Sequence, residues 1–294
     1  MSQRHSPRIS LGQTLRLRLK DHTISASLPA FVMGIINVTP DSFWKESRLM
    51  NVDFALEKAL KMVEDGADIL DIGGESSRPG STYTSDQEEQ DRILPIIEAI
   101  RSHSSIPISV DTRKSSVLKA ALTCGANICN DISALEDDPL LAPLVAKSGC
   151  PVVLMHKKGT PETMQHNPTY TDVVTEVVNY LQLRALFAES SGIATDRIIL
   201  DPGIGFGKTC SDNCSLIASL NQLELLGYPV MMAVSRKSCI GEITQKTVDT
   251  RLAGTLAANL IAVQNGATFL RVHDVSETCD MLKVLQEISR YGIH

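Results

Sequence analysis

The sequence predicts an α/β fold, a (β/α)8 TIM barrel preceded by a short β-hairpin. Three observations carry that prediction. Short β-branched or aliphatic runs alternate with helix-period segments eight times over roughly 250 residues, the length of one such barrel. No G-x-G-x-x-G fingerprint follows the first strand, which leaves the doubly wound open sheet as the second choice. Several helical segments also end in glycine before the next strand, as in Asp65-Gly66-Ala67, Cys124-Gly125-Ala126 and Asn265-Gly266-Ala267. Glycine closes a helix there because it takes positive φ without a Cβ penalty.

In chain order, the stretch from about 9 to 30, with LRLRLKDHTISASL, reads as a small hairpin capping the lower end of the barrel. Strands are expected at 31–38, 68–74, 107–112, 127–132, 151–156, 198–203, 229–235 and 267–273. Helices are expected at 52–65, 86–101, 114–124, 137–147, 170–191, 211–226, 248–265 and 276–290. No linker rich in Pro, Gly or Ser divides the chain. Residues 1–30 are therefore an extension and hairpin, and 31–294 a single barrel domain.

Of the 294 residues 43% are hydrophobic and only 4% aromatic, so the core is built from aliphatic side chains and Met. The formal charge of −6 carries no basic stripe, which argues against nucleic acid as a partner. No apolar run reaches the ~20 residues a membrane span needs, and MSQRHSPRIS lacks a signal-peptide core. Seven cysteines, an odd number without C-x-x-C, fit neither a disulfide framework nor a structural zinc site; Cys210 and Cys214 are the nearest to a motif. A reducing cytoplasm is the expected location.

A barrel of this kind carries its chemistry at the C-terminal ends of the strands. Those ends read Asn37; Asp71 and Glu75; Asp111; Asn130 and Asp131; His156; Asp201; Ser235-Arg236-Lys237; and Arg271-Val272-His273-Asp274. Asp111, Asn130 and Asp201 suit a polar heterocycle with several N–H donors, because a carboxylate accepts two parallel hydrogen bonds from a guanidine-like edge. Lys237, Arg271 and His273 come from the last two strands, beside which phosphates commonly bind in this fold.

The same strand ends carry MGIINVTPDSF (33–43), DIGGESSRPG (71–80), SVDT (109–112), GANICNDIS (125–133), LMHKKGTPETMQ (154–165), DPGIGFGK (201–208), SRKSCIG (235–241) and RVHDV (271–275). In these motifs, in order over nearly the whole chain, the sequence resembles the dihydropteroate synthases, pterin-binding enzymes of folate biosynthesis that sulfonamides target. The resemblance implies condensation of 6-hydroxymethyl-7,8-dihydropterin pyrophosphate with p-aminobenzoate by a dissociative substitution, in a homodimer, with Mg²⁺ assisting. It implies a pterin site of Asp111, Asn130, Asp201 and Lys237. Pyrophosphate would be held by Asn37, Arg78, Arg271 and His273, with Asn37 also offering an oxygen to the metal. The p-aminobenzoate site would be Phe43, Ser77, Arg78, Pro79, Phe206, Lys237 and Ser238, and Asp111, Lys237, Arg271 and His273 would act on the reacting groups. Fixed charges suit that chemistry better than a covalent nucleophile, and no nucleophile elbow is present.

The sequence departs from the family pattern at four places. Trp44-Lys45-Glu46-Ser47-Arg48 lacks the usual glycine, Ser77 replaces Thr, Cys239 replaces a larger apolar residue, and Lys157-Lys158 replaces a Met-Gln pair. Three of the four touch the aminobenzoate side, so altered sulfonamide sensitivity is expected. A pterin-binding methyltransferase domain acting on methyltetrahydrofolate and a corrinoid protein remains the alternative, as does a non-catalytic barrel. Arg271, His273 and Ser77-Arg78-Pro79 are the residues that favour the synthase.

Overall fold

A computed structural model describes residues 14–38, 48–76, 81, 84–159, 164 and 168–292. The chain opens with an antiparallel hairpin, β1 (Arg16–Arg18) and β2 (Thr23–Ser25). Eight parallel strands follow: β3 (Phe31–Asn37), β4 (Ile69–Gly73), β5 (Ile108–Asp111), β6 (Ile128–Asp131), β7 (Val152–Met155), β8 (Ile198–Asp201), β9 (Met231–Met232) and β10 (Phe269–Val272). Their spatial order is β8-β7-β6-β5-β4-β3-β10-β9, and a parallel bridge between Leu200 and Val230 joins the two ends into a nearly closed barrel. The helices are α1 (Arg48–Glu64), α2 (Asp86–Arg101), α3 (Ser115–Thr123), α4 (Leu141–Ser148), α5 (Val173–Ser190), α6 (Cys210–Ala218), α7 (Asn221–Glu224), α8 (Ser238–Thr244), α9 (Leu252–Gln264) and α10 (Val275–Ser289).

Local chemistry accounts for the ends of these elements. Asp172 caps α5 by accepting from Val174 and Thr175 N–H, and Thr209 and Asp212 form a reciprocal capping box at α6. Gly66, Gly125 and Gly266 close their helices with φ of 100°, 104° and 100°.

Three elements differ most from expectation. The helix expected over 211–226 breaks at Ser219 into α6 and α7, where the Asn265 amide donates to the freed carbonyls of Ile217 and Ala218. The strand expected over 229–235 keeps only Met231–Met232, because the chain turns away afterwards with Arg236 at φ 56°. The segment 248–265 enters α9 only at Leu252, after a 3-10 turn at Val248–Thr250, and α8 is an additional short helix.

Two hydrophobic layers set up the site. One fills the space between strands and helices. The other, with Phe31, Ile69, Ile128, Val153, Ile199 and Phe269, plugs the barrel interior, and Leu17 and Leu19 of the hairpin seal it from below. The Phe31 and Phe269 rings stack at 4.8 Å. Strand side chains alternate, so the residues two positions further along look into the same interior, one layer higher. From Ile69, Ile128, Ile199 and Phe269 that step leads to Asp71, Asn130, Asp201 and Arg271. The polar site is the next layer of the barrel's own packing.

Asn259 of α9 is fully buried, and neither its amide nitrogen nor its oxygen has a hydrogen-bond partner. A buried polar group left unmatched costs about 1–3 kcal/mol. Asn259→Ala should therefore raise stability by about 1 kcal/mol, read as a higher urea midpoint at unchanged slope. A lower midpoint would show that the amide contributes to folding.

Candidate active site

Arg271 of β10 stands at the centre of the barrel mouth. Its Nε donates to Asp71 Oδ2 at 2.6 Å, and Nη2 donates to Asp111 Oδ2 at 2.9 Å. The same Asp71 oxygen accepts from Asn130 Nδ2 at 3.2 Å, while Asp71 Oδ1 is buried without a partner. Three strands thus meet at one guanidinium, and a fourth joins them through Asp71. Burial works against the Arg271 charge, but Asp71 and Asp111 outweigh it and raise its pKa. Burial pushes the Asp111 carboxyl up to about 7, opposed by Arg271 and assisted by Asp71.

Beside this network lies a second patch. Asp201, almost fully buried at the end of β8, accepts from Gly203 N–H at 2.7 Å, and burial raises its pKa against that bond and the pull of Lys237. The Lys237 ammonium rests on the face of Phe206, 4.2 Å from the ring centroid. Burial and then Arg271 lower its pKa to about 8, with Asp201 opposing. An aromatic ring entering between Phe206 and Lys237 would require the ammonium to swing off that face.

His273 follows β10, with Nδ1 3.0 Å from Ser235 Oγ. Burial and the Arg271 charge lower its pKa to about 3. With that shift the ring is set to hydrogen-bond as a neutral imidazole. Asn37 is the last residue of β3, with Oδ1 lying 3.7 Å from where a Cβ on Gly73 would stand. Ser238 is exposed at the start of α8.

Two strand-end carboxylates are committed to structure. Asp131 accepts from the Ser133 N–H and hydroxyl and from Leu135 N–H, tying its own loop. Glu75 accepts from Arg113, Lys114 and Thr84 N–H, and Lys114 also donates to the fully buried Glu89 at 2.6 Å. Among the described residues no group of three or more His, Cys, Asp or Glu could hold a metal ion, and no helix is long and apolar enough to cross a membrane.

Residues 33–273 match the model of the pterin-binding enzymes. The chain is 45% identical over 272 residues to the dihydropteroate synthase of Haemophilus influenzae, covering 92% of this chain and 98% of that one. The chain belongs to the dihydropteroate synthase family. It is accordingly a transferase of folate biosynthesis.

Solved structures of the family agree. The Xanthomonas albilineans synthase with 4-aminobenzoic acid superposes with a TM-score of 0.88 at 44% identity, over 94% of this chain and 99% of that one. The same enzyme in complex with 7,8-dihydropteroate gives 0.84 at 42%, over 94% and 99%. A Yersinia pestis synthase in a sulfonamide complex gives 0.87 at 39%, over 95% and 100%. With synthases at this identity over nearly the whole chain, the methyltransferase alternative is set aside.

The structure brings Asp111, Asn130 and Arg271 together through Asp71, and Asp201, Phe206 and Lys237 beside them. Phe43, Ser77, Arg78, Pro79 and the segment Trp44-Lys45-Glu46-Ser47 lie outside the described residues, and Arg48 begins α1. Sequence reading placed Asp71 and His156 at strand ends without a role, and it passed over Lys208. Asp71 carried a usable signal, since it shares the two-residue step that marks Asn130 and Asp201.

Proposed function

We propose that the chain joins 6-hydroxymethyl-7,8-dihydropterin pyrophosphate to p-aminobenzoate, giving 7,8-dihydropteroate and pyrophosphate, with residues 31–294 as one functional barrel. The observation that carries this is the single cation Arg271, anchored by two carboxylates next to the Asp201–Lys237–Phe206 patch. Asp201 and Asn130 pair with the donor edge of the pterin, and Lys237 donates to its acceptor edge. Arg271, with His273 as a neutral donor and Arg78 from the second loop, takes the pyrophosphate. The C–O bond breaks with its electron pair leaving on pyrophosphate, and Asp111 offsets the positive charge left on the pterin. The aniline nitrogen then forms the C–N bond and gives up its proton to solvent. Phe206 and the Lys237 stem flank the aminobenzoate ring, Ser238 reaches its carboxylate, and Phe43, Ser77 and Pro79 complete that side.

Among the described residues no group of three or more His, Cys, Asp or Glu could hold a metal, which leaves the Asn37 amide oxygen as the donor offered. That fits Mg²⁺, which keeps waters and substrate phosphates as its other partners. Asn37 would hold it, and the ion would neutralise charge on the pyrophosphate. We further infer a homodimer in a cytoplasmic setting, with sulfonamides as inhibitors competing for the aminobenzoate side. Supplied with both substrates and Mg²⁺, the purified protein should form dihydropteroate; transfer of a methyl group from methyltetrahydrofolate to a corrinoid protein instead would overturn this function.

Asp111 and Lys237 set a pH profile. Asp111 must be ionised to balance the pterin cation, so kcat/KM should climb as pH rises through about 7. Lys237 must keep its proton to donate, so kcat/KM should fall above about 8. The limbs belong to coupled groups, and Asp111→Asn should flatten the acid one. A profile flat from pH 6 to 9 in the parent would contradict these roles.

A further inference from the structure

Lys208, the last residue of DPGIGFGK, is a buried lysine that no step of the proposed reaction uses. Its ammonium lies 2.9 Å from His156 Nδ1 and donates to three backbone carbonyls: Gly203 at 2.9 Å, Phe206 at 3.1 Å and His156 at 3.3 Å. An ammonium has three protons and no lone pair, so His156 Nδ1 accepts, sharing one proton with the more distant His156 carbonyl, and the ring proton sits on Nε2. These partners come from two separate segments, the end of β7 and the turn after β8.

The turn needs such a partner. Gly203 and Gly207 sit at φ 68° and 66°, and a Cβ on either would run into the carbonyl oxygen of His156 or Lys158 respectively. This close backbone approach leaves three carbonyl dipoles converging on one point. Unneutralised, they would repel one another; the Lys208 ammonium turns that convergence into a clamp, while burial lowers its pKa to about 7 against the pull of Asp201. Phe206 N–H also donates to Gly203 O, so the clamped carbonyls belong to the turn that carries the Phe206 ring.

We propose that Lys208 is a positioning residue for the second substrate: by clamping the Gly203–Phe206 turn onto His156, it fixes the aromatic face on which Lys237 rests and against which the aminobenzoate ring is taken. This rests on the aminobenzoate reading of Phe206 above. The pterin side depends less on the clamp: Asp201 accepts from Gly203 N–H at 2.7 Å but sits within β8, and Asn130 and Arg271 come from other strands.

Lys208→Met keeps an unbranched apolar stem and removes the cation. It should raise the KM for p-aminobenzoate tenfold or more, with kcat and the KM for the pterin pyrophosphate each within threefold of the parent. A merely structural lysine would lower the apparent kcat through loss of folded protein, which active-site titration separates out, and would leave both KM values unmoved. If Lys208→Met shows no cooperative thermal transition, a second pair decides. His156→Leu removes one of the clamp's acceptors and should raise the aminobenzoate KM about threefold, while His156→Asn restores an acceptor and should return it to within twofold of the parent. An active parent whose aminobenzoate KM is unmoved in the folded variants, or whose two KM values rise together, overturns this inference alone. A parent that makes no dihydropteroate overturns the assigned activity and this inference with it.

Discussion

Arg271→Ala should lower turnover by about 10²–10³, the usual loss when a preorganised electrostatic donor is removed from a site of developing charge. Arg271 is held by Asp71 and Asp111 at 2.6 and 2.9 Å, so its position needs no reorganisation as the pyrophosphate departs. The aminobenzoate KM should move far less, since Phe206 and Ser238 lie in other segments. The variant should also be less stable, because Asp71, fully buried, would lose the cation that balances it. Arg271→Lys separates the two effects: it keeps the charge but cannot span both carboxylates as a planar fork does. Steady-state kinetics with thermal melts would check both. A fall in turnover no larger than the fall in aminobenzoate affinity would place the leaving group elsewhere.

Asp201→Asn should weaken pterin binding about 5–150-fold, the equivalent of roughly 1–3 kcal/mol for one mispaired buried group. The backbone dictates the mispairing. Gly203 N–H donates to Asp201 Oδ1 at 2.7 Å, so an asparagine there turns its own oxygen toward Gly203 to keep that bond. Its NH₂ then faces the pterin donor edge, donor against donor. Fold and melting temperature should change little, since the local turn is preserved. Calorimetry showing unchanged affinity for the pterin pyrophosphate would remove Asp201 from the site.

The barrel was legible in the sequence because eight strands and their glycine-ended helices are local signals, readable within a dozen residues each. The strand cores fell where expected, and the errors lay at ends decided by distant partners. Asn265 breaks the helix expected to run on to 226 from 47 or 48 residues away in sequence. Asp111, Asn130, Asp201 and Arg271 were legible because strand alternation lifts them above an aliphatic plug. The clamp at Lys208 and the anchoring of Arg271 were not, since their partners lie 52 and up to 200 residues away. Burial, with Arg271, Arg236 and Lys58 nearby, also lowers the pKa of His273, which the motif alone does not show.

The order of events at this site can be read from one quantity, the pyrophosphate released in the presence of Mg²⁺ with and without p-aminobenzoate. With fixed charges at the mouth and no nucleophile elbow in the sequence, the C–O bond should break before the aniline attacks. Pyrophosphate should therefore appear from the pterin substrate alone, and adding aminobenzoate should convert the same release into stoichiometric dihydropteroate. Release that occurs only with aminobenzoate present, at a rate that follows its nucleophilicity, would contradict a dissociative substitution; no release under either condition would contradict the activity itself.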